Sequence, residues 1–451
     1  MRQVRLSINP GRVLFGFSRI GYTPASAICD IIDNSIMANA KNIYILIRKE
    51  NEKYKDTRQG NVKDYLIIDD GDGMDEKAIE QALELGSSDA FYGESTLSKF
   101  GLGMKSATFS QGDELEVISG RDGNFLKYIV SLPEVQESDD YFANQVDLDE
   151  EDEYLISTYL NEGKGTIVKI GKVRMEGHPS IKHTIEELKE KVGVIYYYFL
   201  RNDGVKIFIE NEQLPAIDVL FCEEADLNGN LDENTWTGRD VRWIEKPKEI
   251  LLDSESNVKA VIEVTQLPHP PTFRLEKRGG DTEIREKYLI ESANYGFYVY
   301  RNKRLISWAE TFKGIIPMNQ DLYSFRGRIL IDDTADDTFN IDVKKSTITL
   351  SDEAWNVISD KSREWKKKSI NAWGRAKTLV NERKAEDPHQ TSNEIINDLE
   401  IPKFLAGTKP VDEKIVREVE AFIIEQSQKR IEKAKAFVKR EMLKENYPTV
   451  Q

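Results

Sequence analysis

Cysteine is nearly absent from this chain: Cys29 and Cys222 are the only two among 451 residues, which excludes a disulfide framework and a cysteine-rich zinc site. Histidine is almost as scarce, with four residues at positions 178, 183, 269 and 389, leaving little for a histidine-based metal centre. No stretch approaches the roughly 18 apolar residues of a membrane span, and the opening MRQVRLSINPGRVLFGF lacks the apolar core of a signal peptide. The expected compartment is therefore the cytosol, with no membrane partner. Positive charge is in deficit, with 63 Lys and Arg against 79 Asp and Glu and a net charge of -16. That balance argues against a protein whose whole surface coats DNA and leaves room only for a local basic groove. With 39% hydrophobic and 31% charged residues the composition is globular rather than disordered, and the length implies two to four domains at roughly 100–200 residues each.

What is present begins with TPASAICDIIDNSIMANA, residues 23–40, where Ile28, Ile31, Ile32 and Ile36 recur at helical spacing behind a Thr23-Pro24 start. Short β-rich runs follow at 42–47 (NIYILI) and 65–70 (YLIIDD), then a helix over Glu76–Leu85, a Gly/Ser-rich loop, and a third helix from near Gly103. ELEVIS, FLKYIVSL and GTIVKIGKV read as strands, interrupted by the acidic DLDEEDE at 147–153, which is expected to be a solvated loop. Residues 181–200 read as one helix and VKIFIENEQL at 205–214 as a strand and turn closing a first unit, 1–215. A second mixed unit, 216–352, is expected to carry strands at VKAVIEVTQL, YGFYVYRNKRLI, RGRILID and STITL. From 353 to 451 the β signals vanish and a Lys/Glu-rich helical region follows, split by a Pro- and Gly-containing stretch between EDPHQTSNEI and KFLAGTKPVDE. Lys and Arg number about 20 and Asp and Glu about 18 from residue 351 on, so the acidity belongs to the first two units.

Three constellations carry chemistry. Asp30 and Asn34, four apart, project from one face of the first helix, where a carboxylate and an amide oxygen suit either a water and a hard cation or a solvent-facing polar stripe. Asp69-Asp70-Gly71-Asp72-Gly73-Met74 follows a strand, and its glycines let the backbone turn tightly against a planar ligand, with a strand-end Asp able to accept from an exocyclic amine. A plain acidic turn fits as well, whereas calcium does not, because the EF-hand spacing is missing. Ser98-Lys99-Phe100-Gly101-Leu102-Gly103-Met104-Lys105-Ser106 runs a glycine loop into a helix, which suits phosphate oxygens, or a packing turn. Met104 interrupts a P-loop core, and Ser106 stands where a dinucleotide fingerprint needs Gly.

In this order the three elements resemble the GHKL ATPase superfamily, which includes DNA gyrase B subunits, MutL, the ninety-kilodalton heat-shock chaperones, MORC proteins and bacterial histidine kinases; the likeness spans about residues 10–215. It implies an α+β chain: a GHKL (Bergerat) α/β sandwich with helices over one face of a mixed sheet, an α/β transducer domain with a left-handed βαβ crossover, and a helical C-terminal region. It implies ATP and Mg2+ as cofactors, Asn34 as the magnesium ligand, Asp69 on the adenine amino group, and Gly71, Gly73 and Met74 shaping the adenine pocket. Thr166 in GTIVKI would lie beside adenine. Gly101, Leu102, Gly103, Met104, Lys105 and Ser106 would close over the phosphates, with 86–100 as the lid. FNIDVKKSTITL, residues 339–350, resembles the end of the transducer, whose lysine reaches the γ-phosphate; alignment favours Lys345 over Lys344. GFYVYRNKRLI, 296–306, resembles the corresponding MORC and chaperone-like segment and favours the ATPase branch over histidine kinases.

Asp30 stands where the family usually has a Glu general base, and is shorter by one methylene, roughly 1.5 Å, so slow hydrolysis is expected, or a water bridge that restores the reach. Asp33 is the weaker candidate, about 100° per residue around the helix. Met37 replaces a common Asp. The chain is expected to end too soon for a gyrase cleavage region and to carry no phosphoacceptor-His helix before the ATP module. Two function classes remain. One is an ATP-gated homodimer clamp of MORC/MutL-like type acting on DNA, in maintenance or antiphage defence. The other is a chaperone-like or regulatory ATPase whose tail binds a protein partner through Ile415, Val419, Phe422, Ile423, Ile431 and Ala434. KSREWKKKS at 361–369, the one basic cluster with an aromatic, fits a solvated helix face or a phosphate contact.

Overall fold

The computed structural model describes residues 9–19, 21–86, 102–160, 162–229, 231–274, 276–340 and 348–386. The first unit is an eight-stranded sheet in the order β5-β4-β3-β6-β2-β1-β7-β8. Its strands are β1 (Asn42–Lys49), β2 (Val62–Asp69), β3 (Gly112–Arg121), β4 (Asn124–Ser131), β5 (Asn144–Val146), β6 (Gly165–Val173), β7 (Lys206–Ile209) and β8 (Glu212–Gln213). The pairing of β1 with β7 is parallel and the others are antiparallel, so the sheet is mixed as expected.

Among the described residues this unit has eight helices: α1 (Pro10–Phe17), α2 (Pro24–Met37), α3 (Glu76–Leu83), α4 (Gly103–Gln111), α5 (Leu132–Ser138), α6 (Glu150–Tyr159), α7 (Ile181–Ile195) and α8 (Tyr197–Asn202). Helix α2 begins where its sequence announced it: the Thr23 side chain accepts from the Ser26 amide, and Pro24 fills the first turn, where a missing N–H costs nothing. The period-2 pleat of β2 sends Tyr65 and Ile67 into a core with Ile28, Ile31 and Ile32 of α2, Phe109 of α4 and Leu188 of α7. Leu66 and Ile68 go to the opposite face, where they meet Leu155 and Leu160 at α6. Helices therefore cover part of both faces rather than one.

The element on that second face corrects the reading of DLDEEDE as a solvated loop. Asp149 is the N-cap of α6 and accepts from the Asp152 amide, while Asp152 reaches back to the Asp149 amide. Acidic residues crowded at a helix start complement its dipole. Asp152 is buried, with its carboxylate 2.7 Å from Lys127 Nζ. The single helix expected over 181–200 is likewise two, α7 and α8, divided at Tyr196.

The second unit holds α9 (Cys222–Leu227), β9 (Arg242–Asp253), β10 (Val258–Gln266), α10 (Pro270–Arg274), α11 (Gly280–Lys287), β11 (Gly296–Arg301), β12 (Arg304–Glu310), β13 (Phe325–Ile331) and α12 (Asp352–Glu386). Its sheet runs β12-β11-β13-β10-β9, with β11 and β13 parallel. Strand β9 is absent from the sequence reading because its middle, EKPKEI, is charged and contains Pro247; at a sheet edge both are tolerated. The strand expected at STITL is not formed over 348–350, and its first two residues lie outside the described set. Helix α12 packs on this sheet: Trp365 is 1% exposed, touches the Phe297 ring and donates from Nε1 to Glu245 at 3.0 Å. The aromatic of KSREWKKKS is thus a core residue, Lys366 donates to the Ile315 carbonyl, and Lys361, Arg363 and Lys367 are exposed.

The units share an apolar cluster in which Val194 meets Leu220, Tyr298, Tyr300 and Leu305. Tyr300 donates to the Val194 carbonyl at 2.7 Å, Arg328 to the Tyr198 hydroxyl at 3.0 Å, and Lys303 pairs with Asp203 at 2.8 Å. Among the described residues no helix is long and apolar enough to cross a membrane.

Candidate functional site

Strand β2 delivers Asp69 to the edge of the α2 layer. Its carboxylate is 3% exposed and accepts from Ser35 Oγ at 2.8 Å and from the Gly71 amide at 3.0 Å. Burial raises its pKa from 3.8 to about 6, against the two hydrogen bonds, which lower it. The neighbouring acids are spent elsewhere. Asp70 accepts from the Lys41 and Asn42 amides and the Asn42 side chain, tying the start of β1, and Asp72 accepts from Asn39. The three acids therefore do not converge, and among the described residues no group of three or more His, Cys, Asp or Glu could hold a metal ion.

Backbone closes tightly around Asp69. A Cβ on Gly71 would lie 2.7 Å from the Ala38 carbonyl, and one on Gly73, whose φ is +64°, would lie 2.0 Å from the carbonyl of Gly120. Only glycine fits either place. Sheet register supplies the rest: Thr166 of β6 stands opposite both Asp69 of β2 and Ser119 of β3. Ser119 Oγ and Thr166 Oγ1 are 2.8 Å apart, and Ser119 also takes the Met74 amide at 2.9 Å. Asp69, Ser35, Gly71, Gly73, Met74, Ser119 and Thr166 form one rigid, polar-lined rim. Ser35 and Ser119 were not singled out from sequence, since neither lies in a motif and Ser119 joins the rim only through the β3–β6 register.

One turn back on α2, Asn34 is half-buried, and Asp30 is nearly buried with the Tyr22 hydroxyl donating to its Oδ2 at 2.7 Å. Asp33 is 1% exposed and accepts from Tyr196 and Arg304, a structural position. Met37 is exposed. The start of α4 has Leu102 as N-cap without a side-chain cap bond, and no described residue comes within 4 Å of a Cβ built on Gly103. The amides of a helix's first turn have no partner within the helix and suit an acceptor. Met104 packs against the core, and Ser106 donates to the Gly103 carbonyl.

Lys105 departs from the expectation. It is 2% exposed and its Nζ donates to the carbonyls of Ala82 and Glu84 at 2.7 and 2.8 Å, so it caps the end of α3 instead of lying open at the loop. Burial lowers its pKa to about 8. Gly101, most of the expected lid, Lys344 and Lys345 lie outside the described residues. A cavity of about 990 Å³ is lined by Phe15, Arg19, Tyr22, Gln111, Arg174 and His183 among others, but of the residues above it reaches only Tyr22. It is therefore distinct from the rim.

No curated protein matches this chain. The family model described as histidine kinase-, DNA gyrase B-, and HSP90-like ATPase matches residues 22–166. The matched span opens on Tyr22, the partner of Asp30, and closes on Thr166, opposite Asp69, so it encloses both of these acidic positions. From Tyr22 to Thr166 the chain is an ATPase domain of the GHKL superfamily.

Proposed function

We propose that this chain binds ATP with magnesium at the β2–α2 rim, hydrolyses it slowly, and uses the bound nucleotide to gate the pairing of two copies. The observation that carries the reading is the buried Asp69 carboxylate, held by Ser35 and Gly71 between glycines that admit no side chain. A planar ring with an exocyclic amine fits such a slot, because the carboxylate offers acceptors and the glycines allow close approach. Thr166 flanks the ring and Met74 lies at its edge. Asn34 supplies one amide oxygen to magnesium; phosphate and water complete the shell, in keeping with a cation that keeps its waters and with the lack of a carboxylate cage among the described residues. Leu102, Gly103, Met104 and Ser106 form the phosphate end, with Gly101 continuing the loop; Lys105 is left out for the carbonyls it already holds. Asp30 is the general base, and Lys345 of the second unit meets the γ-phosphate.

The clamp acts on DNA or on a protein client through the region after residue 386. Burial of Trp365 favours the protein-binding reading, since it withdraws the aromatic of KSREWKKKS from stacking on bases. Phosphate release measured with ATP and Mg2+, with and without double-stranded DNA across salt, tests the function. DNA stimulation that fades with salt supports the DNA clamp, and turnover indifferent to DNA supports the protein-partner reading. No turnover and no ATP binding would sink both. Sedimentation that gives one mass with and without a non-hydrolysable analogue would remove the gated pairing.

A further inference from the structure

Two buried carboxylates of α2 meet a side chain from the other unit. Strands β11 and β12 are joined by a two-residue turn, Asn302-Lys303, with φ of 46° and 71°. Such a turn reverses the chain tightly. It brings Arg304, the first residue of β12, against α2. There Arg304 Nε donates to Asp33 Oδ1 at 2.7 Å, Nη1 donates to the Leu305 carbonyl at 2.9 Å, and Nη2 lies 3.6 Å from Asp30 Oδ1. Asp30 is thus addressed on both oxygens, Oδ2 by Tyr22 from its own domain and Oδ1 by a cation from the second unit.

The pieces of this contact are individually rigid. Tyr196 donates both to Asp33 Oδ1 and to the Cys29 carbonyl, so Asp33 is fixed to the helix that carries Asp30. Leu305 and Tyr300 are buried with Val194 where the units meet, so Arg304 moves only with the second unit. Burial opposes the charge of Arg304, but Asp33, Tyr196 and Asp30 outweigh it and keep the guanidinium protonated. The group is therefore a fixed cation with a planar fork, not a proton donor. Lysine, a single point charge on a flexible stem, cannot span the two carboxylates in the same way.

Resting on the ATPase reading above, we propose that Arg304 is a positioning residue for hydrolysis: anchored on Asp33, it orients the Asp30 carboxylate and makes the alignment of the base depend on where the second unit sits. In the step it serves, a water oxygen bonds to the γ-phosphorus, the bond to the ADP oxygen breaks, and the water proton passes to Asp30. Arg304 takes no proton. This gives the second unit a route to the chemistry through α2, separate from any lysine reaching the phosphate.

The test uses the full chain and reads turnover and analogue binding separately. Arg304→Met is expected to lower kcat on the order of 100-fold, the cost of a base displaced by about 1 Å, while affinity for a non-hydrolysable ATP analogue stays within about threefold. Arg304→Lys should fall between the two. Added methylguanidinium should restore part of the turnover of Arg304→Ala and none of that of Asp30→Ala, a response that a purely structural role would not give. The double variant Asp33→Asn with Arg304→Met removes one charge of each sign, which guards against misfolding from unpaired carboxylates, and should stay slow. Wild-type kcat in Arg304→Met or in the double variant overturns the proposal. So does faster turnover, which would make Arg304 a restraint, or joint loss of binding and turnover without rescue. If the wild-type chain neither binds nor hydrolyses ATP, the ATPase reading fails; if it does both and the variants are indifferent, only the role of Arg304 fails.

Discussion

At the β2 end of the candidate site every named polar group finds its partner inside the first unit: Asp69 with Ser35 and Gly71, Ser119 with Thr166 and Met74. At the α2 end the partners come from both sides of the unit boundary, with Tyr22 on one oxygen of Asp30 and Arg304 on the other. The first end is walled by backbone and closed to change, since a Cβ on Gly73 would enter the Gly120 carbonyl. The second is side-chain-built and linked to an element more than 270 residues away in sequence. Under the function proposed above, the contrast implies a division of labour in which one domain recognises the base, while the alignment for hydrolysis is shared between two.

Breaking the α2 end should produce the largest effect. Asp30→Ala is expected to lower turnover by about 10²–10⁴-fold, the usual contribution of a general base, with analogue affinity retained; unchanged phosphate release would remove Asp30 from the mechanism. Gly73→Ala attacks the other end. It forces a β-carbon into a positive-φ position against backbone, and should cost about 2 kcal/mol of stability and weaken ATP binding at least as much as it slows turnover, read by denaturant melts and calorimetry.

A smaller effect separates the ends by pH. The Asp69 carboxyl, raised from 3.8 to about 6 by burial, holds a proton in the folded chain between those values where the unfolded chain does not. This group therefore adds stability as pH falls through about 6 towards about 4, and that contribution is lost as pH rises through about 6. Base recognition needs the ionised form and should run the opposite way. Adenosine, which carries no phosphate to titrate, should bind about fourfold more weakly at about pH 5.5 than at about pH 7. A flat profile would show that the Asp69 carboxylate does not receive the amine.

Much of the first end was legible in the sequence because its signals are local. Thr23-Pro24 marked the start of α2, and the glycines after β2 marked a turn that no other residue can make. Its serines were not legible, because Ser119 reaches Thr166 only through strand register and Ser35 has no motif of its own. The acidic run at 147–153 misled for a similar reason: it starts a helix over the far face of the sheet, and the burial of its Asp152 depends on Lys127. Lys105 looked like a phosphate ligand from its neighbours, but the carbonyls ending α3 claimed it. Arg304 lay within a recognisable segment, yet its partners on α2 became visible only once the two units were packed together.

The most direct test of this division is calorimetric titration of a non-hydrolysable ATP analogue, with Mg2+, into the wild-type chain, Asp30→Ala and Asp69→Asn. The account predicts saturable binding in the first two and affinity about 100-fold weaker in Asp69→Asn, where an amide replaces the charged acceptor for the adenine amine. Equal binding in all three, or loss in Asp30→Ala with retention in Asp69→Asn, would contradict it.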